Sequence, residues 1–291
     1  MRVLVTNDDG VHAPGLSAIT RALAQWTRDD DGAHEIVVVA PLANHSGASA
    51  AVGTVYEREA ISYRRVRIDG ADEVPTYGVD APPALAVLVG ALGGFGPRPD
   101  IVVSGINLGV NVGRSVLHSG TIGATLAGAQ LGLRGLAVSL RAGSPPEQWT
   151  TASTIAVALL PALCAAPPRT VLNLNVPSVP LEELRGVRRA RISTSGIVKQ
   201  ASGGTDADGS RGAGGPTSGG AQEEGEIRLT LGTAIPTLGK VESEDPEDDA
   251  ALIAAGYASI TPIVGVREDT APDSDEVVRA ALSTVHVLLG R

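Results

Sequence analysis

The chain of 291 residues has one cysteine, Cys164, set inside an apolar stretch. No disulfide can close within it and no zinc site can be built on paired cysteines, which suits a reducing compartment. Positive charge is also short, with 23 Lys and Arg against 32 Asp and Glu and a formal net charge of −9. A protein that coats a nucleic-acid duplex needs a basic face, so that class of partner is not expected. A small anionic ligand in a local pocket is not excluded. The deficit is concentrated in residues 242–249, which hold six acids and no base; the remainder is nearly balanced. Long apolar runs are missing too. The longest, around 84–92 and 155–166, are too short to cross a bilayer. Met1 leads directly into a first apolar run, leaving no room for a signal peptide. These absences predict a soluble, cytoplasmic protein with no membrane partner. No internal repeat is present.

What is there is organised around Asn7-Asp8-Asp9-Gly10, which follows the first apolar run, Val3-Leu4-Val5. That run is β-branched in the majority and does not alternate, so it reads as a strand buried on both faces. Two adjacent carboxylates at its end raise each other's pKa, whereas a bound divalent cation lets both stay ionised. Gly10 frees the backbone for a sharp turn. Asp8 and Asp9 are therefore candidate metal ligands, one of them with a catalytic part. A helix-capping loop is the alternative, since Asp is favoured at N-caps and turns.

The same pattern repeats along the chain. Helical spacing over 16–23 follows Pro14, and a second buried strand over 35–40 runs into a polar loop carrying Ser46 and Gly47. Residues 56–77 mix charges with alternating apolar positions and read as exposed strands or a hairpin rather than core. A helix over 84–92, a strand over 100–104 and a glycine-spaced loop with Asn107 and Asn111 come next. Ser119-Gly120-Thr121 then precedes an Ala/Gly-rich helix over 122–131. A strand over 136–140, a helix over 151–165 and a strand over 170–175 complete an alternation that predicts a Rossmann-like, mostly parallel sheet with helices on both faces. Ligands bind such sheets outside the carboxyl ends of the strands, where all these polar loops lie. Beyond residue 185, strands over 187–198 and 226–235 flank a Gly/Ser/Thr-rich stretch, 201–225, read as a mobile tip. A helix over 249–255 follows the acidic run, whose carboxylates suit its positive end. A strand over 257–263 and an amphipathic helix over 275–289 close the chain.

Asp8, Asp9, Ser46 and Asn107 offer hard oxygen ligands with no His or Cys among them. Such a set suits Mg²⁺, Mn²⁺ or Ca²⁺ better than zinc or copper. Opposite them, the backbone amides of Ser119, Gly120 and Thr121 open a helix and favour an anion. A cation facing an anion nest is the arrangement that phosphoryl transfer to water requires.

These residues resemble the SurE family of metal-dependent nucleoside monophosphatases. The likeness rests on Val5 to Gly15, on Val39-Ala40-Pro41 with Ser46-Gly47-Ala48-Ser49, on Pro99 to Asn107 with Asn111, and on Ser119 to Ala124. It continues through Asn173-Leu174-Asn175-Val176-Pro177 and Gly256 to Pro262. The blocks span nearly the whole chain in order. The resemblance implies one divalent metal ion per subunit, Mg²⁺ or Mn²⁺, held by Asp8, Asp9, Ser46 and Asn107. It implies removal of the terminal phosphate from nucleoside 5′- and 3′-monophosphates, with short polyphosphate as a further substrate class. It also implies a homodimer or homotetramer using a β-hairpin arm from about 186–250, with 1–185 as the core and 251–291 as a closing strand and helix. Asn111, Gly47, Ser119, Gly120 and Thr121 are the candidate phosphate-binding residues.

The chain departs from the family pattern at Gly78-Val79-Asp80-Ala81-Pro82-Pro83, where a Thr-Pro and a Cys are missing. It departs again at His45, where a basic residue is common, and at Arg114 and Ser115, where acids are common. His12, His45 and His118 are candidates for a general acid, each with a structural hydrogen-bonding role as the alternative. Three rival readings bear on the first loop. An aspartyl nucleophile needs two aspartates spaced two apart, not adjacent. A dinucleotide enzyme needs Gly-x-Gly-x-x-Gly where this chain has acids. A module that binds metal and nucleotide without turnover stays open.

Overall fold

The computed structural model describes residues 1–31, 34–57, 59–143, 147–194, 198–203, 227–231, 245–266, 276, 278–279 and 281–282. Val3, Leu4 and Val5 form the middle of β1 (Arg2–Thr6) and are wholly buried, as an apolar run with no alternation requires. Around it lie β2 (Glu35–Pro41), β3 (Tyr63–Val66), β4 (Thr76–Val79), β5 (Ile101–Leu108), β6 (Arg134–Leu140), β7 (Val171–Val176), β8 (Val187–Arg189) and, later in the chain, β11 (Ala258–Ile263). They make a nine-stranded sheet in the order β3-β4-β2-β1-β5-β6-β7-β11-β8. Pairing is parallel from β4 through β7 and antiparallel at β3–β4 and β7–β11. The expected mostly parallel sheet is thus present.

Among the described residues four helices cover its central strands, and a short fifth over 249–254 lies against β11 and β7. One face packs against α1 (Pro14–Asp29) and α4 (Trp149–Ala165) around Val3, Val5, Leu16, Ile19 and Leu160. The other packs against α2 (Pro83–Ala91) and α3 (Gly120–Gln130) around Leu4, Val102, Leu85 and Ala124. Strands β1 and β5 are neighbours, and the connection from β1 runs to β2 on one side while that from β5 runs to β6 on the other. That reversal opens a crevice above their carboxyl ends, the usual ligand position in a doubly wound sheet. Asp8 and Asp9 stand there because of it.

Four segments differ from expectation. Strand β5 runs on to Leu108, past the expected end at 104, because pairing with β6 resumes there, so Asn107 lies opposite Ser139 in the sheet and not in the loop. Residues 56–77 are not all outside the core. β3 is an exposed edge, but β4 inserts parallel to β2 with Thr76 and Val79 buried, and Ile68, Ala71 and Val74 join the α1 side of the core. Pairing with β2 decides the burial, and no local alternation could show that. Helix α3 begins at Gly120, two residues earlier than expected, because the Ser119 side chain caps it by accepting from Ile122 N–H at 3.1 Å. The expected strand over 187–198 divides into β8 and β9 (Val198–Gly203), and β9 pairs antiparallel with β10 (Ile227–Leu231). The Gly-rich stretch contributes 201–203 to β9; its remainder lies outside the described residues, as do 242–244 of the acidic run. Of the closing helix, 276, 278–279 and 281–282 are described and helical. Among the described residues no helix is long and apolar enough to cross a membrane.

Candidate active site

The chain leaves β1 through Asn7, whose amide nitrogen donates to Gly10 O at 2.9 Å and closes the turn. Gly10 has φ +103, in the left-handed region, so a side chain there would strain the backbone. Neighbouring loops are tied to this turn by their backbones. Val11 N–H donates to Pro41 O and His45 N–H to Asp8 O, both at 2.7 Å. Ser49, farther along the β2 loop, donates through its N–H to His118 O at 3.2 Å and through its hydroxyl to Leu117 O at 2.8 Å. Three segments far apart in sequence are thereby held on one rim.

Asp8 is buried, and its carboxylate is aimed at the start of α3. Thr121 Oγ1 donates to Asp8 Oδ1 at 2.7 Å, and the amides of Gly120 and Thr121 point at the same group. The approach is close enough that a Cβ on Gly120 would stand 2.7 Å from Asp8 Cβ, so only glycine fits. The helix start that the sequence offers to a phosphate therefore already faces one carboxylate of the protein itself. Asp9 is half-buried and turned the other way. It takes the Ser46 hydroxyl at 3.4 Å, a long contact, and the Leu108 amide, one residue past Asn107. Asn107 donates its amide nitrogen to Gly109 O at 2.6 Å, which leaves the side-chain oxygen as its ligand-type atom.

Burial pushes both carboxyls above the ordinary range. For Asp8 the opposing influences are Thr121 and the helix-start amides; for Asp9 the Asp8 charge adds to burial, against Leu108 and Ser46. Two adjacent desolvated carboxylates, one of them accepting from the Ser46 hydroxyl, fit a hard divalent cation. Among the described residues no three His, Cys, Asp or Glu side chains gather to hold a metal.

The family profile described as Survival protein SurE matches residues 3–199. The chain belongs to the SurE family. It is similar to a protein named 5′/3′-nucleotidase SurE from Escherichia fergusonii, 35% identical over 289 residues that cover 99% of this chain and 98% of the relative. The likeness to the protein of the same name from Cronobacter sakazakii has the same extent. Among solved structures, the SurE protein from Aquifex aeolicus superposes with a TM-score of 0.66 at 23% identity, over 99% of both chains. At that identity the superposition speaks for the SurE fold alone.

The remaining candidates divide. Gly47 is exposed beside Ser46, and Ser119, Gly120 and Thr121 are buried in the first turn of α3. Asn111 is buried in the glycine-spaced loop and donates to Ser139 Oγ at 2.9 Å and to Thr121 Oγ1 at 3.4 Å. His45 and His118 reach the rim through backbone bonds, and His12 is exposed close by. Two features escaped the sequence reading. Asn173 and Asn175 bond Asn111 from inside the sheet; their i, i+2 spacing in an apolar strand was the available signal. Asp249, wholly buried at the first position of α5 (Asp249–Ala254), accepts from Gly113 N–H and Ser193 N–H, each at 3.0 Å. Its place in an acidic run hid it. Its neighbour Asp248 does what the run implied and caps α5, accepting from Ala251 N–H at 2.7 Å.

Proposed function

We propose that the chain is a metal-dependent phosphomonoesterase that hydrolyses the terminal phosphate of nucleoside 5′- and 3′-monophosphates. One observation carries the reading: Asp8 and Asp9, adjacent and desolvated, stand at the topological switch between the loop of Ser46 and the carboxyl end of β5, which bears Asn107. The relatives named 5′/3′-nucleotidase supply the substrate class.

One Mg²⁺ or Mn²⁺ ion per subunit would be held by the Asp8 and Asp9 carboxylates, the Ser46 hydroxyl and the Asn107 amide oxygen. When bound, such an ion supplies positive charge that polarises a phosphate oxygen and makes water a better nucleophile. The protein's own groups do the rest. Asp9, the more exposed carboxylate, accepts a hydrogen bond from the attacking water and orients it. Asn111 and the Gly47 amide hold phosphate oxygens, and the positive end of α3, shared with Asp8, offsets their charge. Water adds to phosphorus as the bond to the ribose oxygen breaks, and that oxygen takes a proton. His118, His45 and His12 are the rim groups able to give it. The chain works in the cytoplasm as a homodimer or homotetramer built with the arm drawn from about 186–250, and it accepts short polyphosphate as a further substrate.

Phosphate release from a panel of nucleoside monophosphates, with Mg²⁺, with Mn²⁺ and with chelator, tests this. Release that stops in chelator and returns with metal is expected. Equal release in chelator overturns the metal-dependent mechanism. Tight nucleotide binding with no release makes the chain a binding module instead.

A further inference from the structure

Asn173 and Asn175 are wholly buried amides in a strand whose other inward positions are apolar. A buried amide is unfavourable unless it is bonded; here both bond a single loop residue, Asn175 through both of its polar atoms and Asn173 through its nitrogen, its oxygen having no partner. Asn175 Oδ1 accepts from Asn111 N–H at 2.7 Å, and Asn175 Nδ2 donates to Asn111 O at 3.1 Å. Asn173 Nδ2 donates to the same carbonyl at 2.8 Å. One side-chain amide thus pairs with both backbone groups of Asn111, as a neighbouring strand would. With its backbone fixed in this way, Asn111 directs its side-chain nitrogen to Ser139 Oγ on β6, the register partner of Asn175, and toward Thr121 Oγ1. Thr121 Oγ1 in turn donates to Asp8.

We infer that Asn175, assisted by Asn173, is the positioning residue of the phosphate-binding loop, setting where the Asn111 side chain meets substrate. The inference rests on the reading above that Asn111 touches the phosphate. An aliphatic side chain at 175 would leave the N–H of Asn111 buried without a partner, and one at 173 would remove one of the two donors to its carbonyl, so the loop would lose its hold on this conformation. Asp8, Asp9 and Ser46 sit on other loops, Asn107 is held in β5 ahead of the Asn111 loop, and Asp8 keeps Thr121 and two helix amides whatever happens to Asn175. Substrate binding and metal binding should therefore separate.

Asn175→Asp is the test, because it keeps shape and the acceptor for Asn111 N–H but sets an oxygen against Asn111 O. Three quantities are read in wild type and variant: KM and kcat for a nucleoside 5′-monophosphate, the half-saturating Mn²⁺ concentration, and amide hydrogen exchange. KM is expected to rise about tenfold or more, with kcat changing less and half-saturating Mn²⁺ staying within about twofold. Exchange in residues 109–113 should quicken about tenfold while β1 and β5 keep their protection. Unchanged KM and unchanged loop exchange in a folded variant overturn the inference. So does a KM increase matched by equal loss of Mn²⁺ affinity and faster exchange everywhere, which marks a merely structural role. If Asn175→Asp does not fold, Asn175→Ser is read the same way, and an unmoved KM with unmoved loop exchange overturns the inference there too. A wild type that releases no phosphate sinks the functional reading instead, and the exchange measurement still decides whether Asn175 orders the loop.

Discussion

Thr121 Oγ1 donates to Asp8 Oδ1 over 2.7 Å, joining residues 113 apart in the chain. The bond aims one of the two adjacent carboxylates at the start of α3 and leaves the other to the Ser46 hydroxyl and the Leu108 amide at the end of β5. Asp8 and Asp9 therefore have different neighbours despite being consecutive, and different consequences follow for each.

Replacing Asp8 or Asp9 by Asn removes ligand charge from a loop while keeping shape. Metal-dependent hydrolysis should fall about a hundredfold or more in each variant, with an unchanged far-ultraviolet circular dichroism spectrum. Steady-state kinetics at saturating Mn²⁺ checks this, and wild-type turnover in both variants contradicts the site.

Thr121→Val keeps the β-branched shape and removes the hydroxyl. Asp8 would then lose a hydrogen bond to its charged form, worth about 1.5–3 kcal/mol. Urea denaturation in saturating Mn²⁺, with Asp8 ionised, should show a stability loss of that order, together with weaker Mn²⁺ binding by calorimetry. A variant as stable and as metal-avid as wild type would mean that Asp8 is held by the helix amides alone.

The pH dependence follows from the raised pKa of Asp8 and Asp9. A carboxyl whose folded pKa stands above its unfolded value, 3.8 here, binds its proton more tightly when folded. Its contribution to stability is present below the unfolded value and is lost as pH rises through the folded pKa. In chelator, thermal stability from these two groups should therefore increase on acidification through that window. Cation binding needs the ionised forms, so the extra stability conferred by Mn²⁺ should grow as pH rises. Melting temperatures across a pH series, with chelator and with Mn²⁺, provide the comparison. A metal-induced shift that is constant with pH contradicts it.

Asp249 and Asp248 are neighbours with different roles. Asp249→Ala would leave Gly113 N–H and Ser193 N–H buried without an acceptor, at about 1–3 kcal/mol for each group. Asp248→Ala removes a helix cap, worth about 1 kcal/mol. Urea denaturation should rank Asp249→Ala as clearly the more destabilised. The reverse order would show that Asp249 is not the tie between the loop at Gly113 and the chain at Ser193.

The parts legible in the sequence are those written in local pattern. Val3-Leu4-Val5 declared a strand buried on both faces, Asn7 to Gly10 declared its turn, and the alternation through 175 declared the sheet. The pairing of β4 with β2 was not legible, because burial of Thr76 and Val79 comes from a partner strand about 40 residues away. Nor was the contact of Asp8 with α3. Ser119, Gly120 and Thr121 look like an open anion site until the strand order brings Asp8 beside them. Asp249 shows the limit most plainly. In sequence it is one acid among six, and only the meeting of Gly113 and Ser193 at its carboxylate sets it apart.

The central claim is that one divalent ion sits between the first and fifth strands of the sheet, and anomalous diffraction from crystals soaked in Mn²⁺ tests it most directly. A single peak per subunit in contact with the carboxylates of Asp8 and Asp9, the Ser46 hydroxyl and the Asn107 amide oxygen is the result expected. No peak at saturating Mn²⁺, or a peak bound only elsewhere on the chain, would contradict it.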